Sequence, residues 1–112
     1  MTPARQVDAA KIRRELGVTR KVFARITGYS ERSIASWESG KKPSAPASQS
    51  LNEVARLTEA LEEVIKPEVI AGWLEEPNEA FEELKPLEVI ERGEVDRIWR
   101  MIYYLESGVP ST

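Results

Sequence analysis

What most constrains this chain is the placement of small and apolar residues in LGVTRKVFARITGYSERSIASWESGKK, residues 16 to 42. Counted from Arg20, Ala24 falls inside one helical segment, Gly28 at a corner and Ile34 inside a second segment. Ala24 has too little side chain to hold two helices apart. Gly28 can take a positive φ without a Cβ clash, and Ile34 fills the wedge between the helices. The pattern predicts two short helices joined by a tight turn, with Lys41 and Lys42 following.

The same logic extends along the chain. Apolar residues recur at spacings of three and four from end to end, and no stretch alternates long enough to make a strand. The expected fold class is all-α. A first helix is predicted over about Val7 to Leu16, with Ile12 and Leu16 inward and Gly17 stopping it. Thr19 should cap a second, Arg20 to Thr27, that buries Val22, Phe23 and Ile26. Ser30 should cap a third, Glu31 to Ser39, with Ile34 and Trp37 inward and Gly40 ending it. KKPSAPASQS, residues 41 to 50, reads as an ordered connector. A long helix then covers about Pro46 to Ile65, carrying Leu51, Val54, Leu57, Leu61, Val64 and Ile65. Further helices follow over about Glu68 to Leu74 and after an Asn78 cap, and KPLEVIERGEVDRIWRMIYYLESG supplies two more, the last over about Glu94 to Glu106. The resulting division is residues 1–45 as the helix-turn-helix unit, 46–66 as a connecting helix and 67–112 as a second helical unit.

A chain of 112 residues can bury one modest core or two very small ones. It has no Cys and no His, which removes disulfides, thiolate and imidazole ligands and the usual neutral-pH general base. No enzyme activity, cofactor or metal is therefore expected. No apolar run reaches the ~20 residues of a membrane span, and no signal peptide is visible, so a cytoplasmic location without membrane association is expected.

The net charge of −3 hides two opposed halves. Residues 1–56 carry eleven Lys and Arg against five Asp and Glu, giving +6, and residues 57–112 carry five against fourteen, giving −9. A half suited to phosphate is joined to one that repels it. This segregation points to nucleic acid for the first half and a protein partner for the second.

In a helix-turn-helix the second helix enters the major groove by its N-terminal half. Here that end offers Glu31, Arg32, Ser33 and Ser36. Arg32 can bond bidentately to guanine, Glu31 can accept from cytosine, and the serines suit several bases. Arg20, Lys41 and Lys42 are placed for phosphate, where they orient the protein and make binding salt-dependent. Trp37 is read as packing.

These residues, without a gap from Leu16 to Lys41, resemble the phage-repressor (Xre/Cro-like) helix-turn-helix. Residues 67–108 are similar to the C-terminal domain of Xre/ParS-type antitoxins, through Trp73-Leu74, Pro77-Asn78, Lys85-Pro86-Leu87, Gly93 and Gly108. One departure falls at Glu82-Glu83-Leu84-Lys85, where many members carry a Gly-containing turn. The resemblance implies a homodimer formed largely through the C-terminal domain. It also implies repression of the protein's own operon through operator DNA, and inhibition of a RES-domain toxin that destroys NAD. It carries toxin contact to the last helix and tail, for which Arg97, Arg100, Tyr103, Tyr104, Ser107, Gly108, Val109 and Pro110 are the candidates. Tyr and Arg are common interface anchors. Ile98, Trp99, Ile102 and Leu105 share one face, expected to be core or dimer seam.

Glu62, Glu63, Glu75, Glu76, Glu79, Glu82 and Glu83 form acidic runs. Adjacent glutamates on a helix project about 100° apart, so solvated faces explain them better than a catalytic pair or a metal site. Two other readings stay open: a stand-alone dimeric helix-turn-helix regulator with no toxin, and a protein-binding inhibitor that no longer reads DNA.

Overall fold

The computed structural model describes residues 7–108. Within them the chain forms seven α-helices and no strand beyond one isolated bridge, in agreement with the all-α expectation.

The first three helices begin and end on local signals. The Asp8 side chain accepts from the Lys11 amide and starts α1 (Ala9–Leu16), one turn fragment later than the apolar spacing suggested. Gly17 closes α1 at φ 71°. Thr19 caps α2 (Arg20–Thr27) by accepting from the Val22 amide, and Gly28 turns the chain at φ 80°. Ser30 accepts from the Ser33 amide to open α3 (Glu31–Glu38), after which Ser39 is the C-cap and Gly40 lies beyond it. Each cap satisfies an amide that the first turn would leave orphaned.

The connector proves shorter than its composition suggested. Ser44 caps α4 (Ala45–Val64), and Pro46 sits in its first turn, where its missing N–H costs nothing. Beyond α4 the chain makes a 3-10 turn at Pro67–Val69, α5 (Ile70–Leu74) and a second 3-10 turn at Glu79–Phe81. It ends with α6 (Pro86–Glu91) and α7 (Val95–Ser107). Asn78 does cap as expected, through the Ala80 amide, but what it opens is a single 3-10 turn.

One core runs through all of these elements. Phe23 and Ile34 of the helix-turn-helix, Leu51 and Leu61 of α4, and Ile70, Phe81, Leu87, Ile98 and Ile102 of the C-terminal half belong to a single buried cluster. Helix α4 packs on α1, α2 and α7, and α2 also packs on α6, so the first half rests directly on the second. Each such aliphatic or aromatic side chain contributes about 1.5–3 kcal/mol by leaving water. Val22 and Trp37 are only partly buried at the edge of this core.

The segment that departs from the family pattern has unusual backbone. Glu82 and Glu83 sit at φ 56° and 70°, in the left-handed region that glycine would occupy without a Cβ clash. The turn is held shut by the Asn78 amide on the Leu84 carbonyl at 3.0 Å and the Glu83 amide on the Asn78 carbonyl at 2.9 Å.

Candidate nucleic-acid interface and partner surface

Helix α3 buries Ile34 and turns its N-terminal half outward. Glu31 and Arg32 are exposed, and Ser33 and Ser36 are half-buried beside them. The Ser33 hydroxyl oxygen already accepts from the Ser30 hydroxyl at 3.1 Å. At the other end the Ser36 carbonyl accepts from the Lys41 amide at 3.0 Å, which pins Lys41 to the close of α3. Lys41 and Lys42 are both exposed. Trp37 packs against the core and meets Tyr29 edge-on at 5.2 Å, consistent with packing.

Arg20 has a second role that the sequence did not suggest. Its Nε donates to Glu38 Oε1 at 2.9 Å, so the guanidinium is drawn toward the end of α3. Glu38, with a side chain only 7% exposed, also accepts from Arg13 Nε at 2.6 Å and from Arg13 Nη2 at 3.1 Å. Arg13 further donates Nη1 to the Val18 carbonyl at 3.1 Å. One carboxylate thus joins α1, the loop after it, α2 and α3. The Arg13 hydrogen bond, helped by Arg20, holds Glu38 below the usual carboxylate range against the opposing effect of burial. The same bond raises the Arg13 guanidinium. Sequence reasoning missed Glu38. The available signal was an acid in the last position of α3, below a run of upstream arginines.

A second clip joins the two halves. Arg25 of α2 donates Nε and Nη2 to the two oxygens of Glu91 on α6, at 2.8 and 2.6 Å. The bond raises Arg25 and lowers Glu91.

On α7 the sequence-predicted partner residues separate. Arg97 is engaged internally. It donates to Glu94 at 2.9 Å, lies 3.6 Å from Glu82 and stands over the Phe81 ring at 5.9 Å, leaving 23% of its side chain exposed. It braces the Glu82–Glu83 turn, so it is a poor candidate for outside contact. Arg100 is exposed and pairs at 3.5 Å with Asp96 one turn earlier. Tyr103, 66% exposed, and Tyr104 meet edge-on at 5.8 Å. Ser107 donates its hydroxyl to the Tyr104 carbonyl, and Gly108 ends the helix at φ 67°. Val109 and Pro110 lie outside the described residues.

On the α7 face expected to be core or dimer seam, Ile98 and Ile102 are buried, whereas Trp99 and Leu105 are exposed, Leu105 lying past the last buried residue of the helix. Sequence reasoning therefore missed Leu105 as an exposed neighbour of the two tyrosines. The acidic runs do not converge: among the described residues, no three carboxylates gather closely enough to hold a metal ion. Among the same residues, no helix is long and apolar enough to cross a membrane.

A helix-turn-helix family matches residues 10–61, from α1 into α4. Over 95 residues the chain is 33% identical to the mycobacterial cidal antitoxin MbcA of Mycobacterium tuberculosis and to that of Mycobacterium bovis, covering 84% of this chain and 84% of each relative. The chain belongs to the MbcA family of antitoxins. The likeness extends to the fold. A chain in the crystal structure of the M. tuberculosis MbcT–MbcA toxin–antitoxin complex superposes with a TM-score of 0.75 at 30% identity, over 93% of this chain and 95% of that one. The MbcA likeness thus covers both the helix-turn-helix and the C-terminal helices, with one core beneath them.

Proposed function

We propose that this member of the MbcA family binds and neutralises a RES-domain toxin that degrades NAD, and represses its own operon by binding operator DNA as a homodimer. The observation that carries this reading is the pairing, on one core, of a polar outward face on α3 with an exposed aromatic end on α7. Glu31, Arg32, Ser33 and Ser36 would meet base edges, while Lys41, Lys42 and the remaining donors of Arg20 would meet phosphate. Arg100, Tyr103, Tyr104, Ser107 and Gly108 would meet the toxin, with Tyr103 and Tyr104 as anchors. The RES identity rests on the resemblance of residues 67–108 to the antitoxin C-terminal domain. Inhibition of this kind asks for occlusion of the toxin's cleft and no chemistry from the antitoxin.

The test is co-expression with the product of the adjacent gene, following growth and cellular NAD. Depletion of NAD by the neighbour alone, with recovery and co-purification when this chain is present, is expected. A harmless neighbour that does not co-purify would leave a stand-alone DNA-binding regulator as the surviving reading.

A further inference from the structure

Arg25 and Glu91, 66 residues apart, meet where α2 packs on α6. Two guanidinium donors, Nε and Nη2, reach the two oxygens of one carboxylate at 2.8 and 2.6 Å. Among the described residues this is the ion pair that joins α1–α3 to the helices beyond α4. The others stay within one half: Arg13 and Arg20 on Glu38, Arg97 on Glu82 and Glu94, and Arg100 on Asp96. Beside the pair, Ile26 of α2, Leu57 of α4 and Ile90 of α6 line one groove. Neither Arg25 nor Glu91 belongs to the surfaces assigned above to DNA or toxin.

We infer that the Arg25–Glu91 fork fixes the angle at which the helix-turn-helix sits on the C-terminal half, and so sets which spacing of operator half-sites a dimer accepts. This role rests on the dimeric, DNA-binding reading given above and adds a selectivity to it. With two copies joined through their C-terminal halves, the distance and angle between the two α3 helices are inherited from the junction inside each chain. The two-fold axis repeats any rotation of α2 over α6 in the second copy. On the DNA, each base pair inserted between half-sites moves them about 3.4 Å apart and turns one against the other by roughly 35°. Apolar burial holds the two halves together without prescribing an angle, because the hydrophobic effect is non-directional. A planar guanidinium on a carboxylate fixes angle as well as distance. Both side chains are 39% exposed, so the pair adds little to stability, and its geometry acts on alignment instead. Arg25 and Glu91 are thus positioning residues that act through α3 without touching a base.

The test uses the full chain and duplexes built from the DNA upstream of its own gene, with the footprinted half-sites kept or moved by one or two inserted base pairs. A duplex carrying one half-site is the control. The measured quantity is the ratio of affinities at the natural and the shifted spacing. That ratio cancels general changes in phosphate attraction, which act alike at every spacing. Glu91→Gln removes the ion pair, and Arg25→Lys keeps the charge but loses the fork. Both should lower the ratio by roughly threefold to tenfold while affinity for the single half-site stays within about twofold of wild type. Circular dichroism melts matching wild type show that the variants are folded. Ratios unchanged in both variants would overturn the role of the fork while leaving the DNA-binding dimer intact. Equal losses on the single half-site and the full operator would place the pair in the folding of the helix-turn-helix, and so overturn it as well. A wild type that leaves no footprint, or binds every spacing alike, would overturn the dimeric operator reading itself.

Discussion

Glu38 accepts two hydrogen bonds from the guanidinium of Arg13, Nε at 2.6 Å and Nη2 at 3.1 Å, across 25 residues of sequence. Through this pair the end of the recognition helix α3 is fastened to α1, and Arg20 adds the start of α2. Glu38→Ala strands two guanidinium groups that remain partly in water, so a loss of about 2 kcal/mol is expected. The pH dependence has a definite sign. Because the folded carboxyl is held below its ordinary value, its stabilisation is complete at neutral pH and is lost as the pH falls through that lowered value. Urea unfolding followed from pH 7 downward should show Glu38→Ala well separated from wild type at neutral pH, with the gap narrowing as the pH falls below the ordinary carboxylate range.

Base reading and phosphate anchoring should separate by mutation. Arg32, exposed near the N-terminus of α3, should specify a base, and Arg32→Ala should cost about 1–3 kcal/mol on the operator and relax preference at one position. Lys41→Ala should weaken binding to all sequences alike and lower the slope of affinity against salt by about one. Titrations of operator and random duplexes at several salt concentrations check both. Equal losses on both duplexes for both variants would contradict these roles.

The Glu82–Glu83 turn holds two non-glycine residues in the left-handed region. Glu83 has a carbonyl-bonded amide that glycine would keep, and its side chain is exposed. Glu83→Gly should therefore raise stability by about 1 kcal/mol, the relief of Cβ strain exceeding the entropy glycine gains in the unfolded chain. Glu82 is the less clean choice, since Arg97 lies near its carboxylate. Thermal melts of the two single glycine variants test the assignment.

Tyr103 and Tyr104 stand on turns of α7 that carry no core contact beyond Ile102. Their replacement by Ala should leave the melting temperature within about 2 °C of wild type, as for other surface changes. The same change should weaken the complex with a partner toxin by about 2 kcal/mol or more if the tyrosines are its anchors. Calorimetric titration of the purified pair, set beside the melt, distinguishes an interface role from a folding one.

Much of the helix-turn-helix was legible because its determinants are local. Thr19, Ser30, Gly17 and Gly28 act on amides and turns within four residues of themselves, so reading them needs no knowledge of the partner helices. The C-terminal half was less legible. Short 3-10 turns leave no 3.6-residue period: the helix expected over about Glu68 to Leu74 is present as α5 behind a 3-10 turn, whereas the one expected after Asn78 is a single 3-10 turn. Tyr103 and Tyr104 were named through the family resemblance and stand exposed, whereas the internal engagement of Arg97 was not legible, because an arginine's freedom depends on which ring and which acids lie beneath it.

By itself the sequence determined an all-helical chain, the caps and corner of the α2–α3 unit, and the segregation of basic and acidic halves. These follow from side-chain size, capping chemistry and formal charge, which travel with the residue. Only the tertiary structure decided that Glu38 collects Arg13 and Arg20, that Arg25 reaches Glu91 across 66 residues, and that α7 outruns the core and leaves Leu105 in water. Pairing and exposure of this kind depend on where helices cross, and crossings are set by the packing of the whole core, which no local pattern encodes.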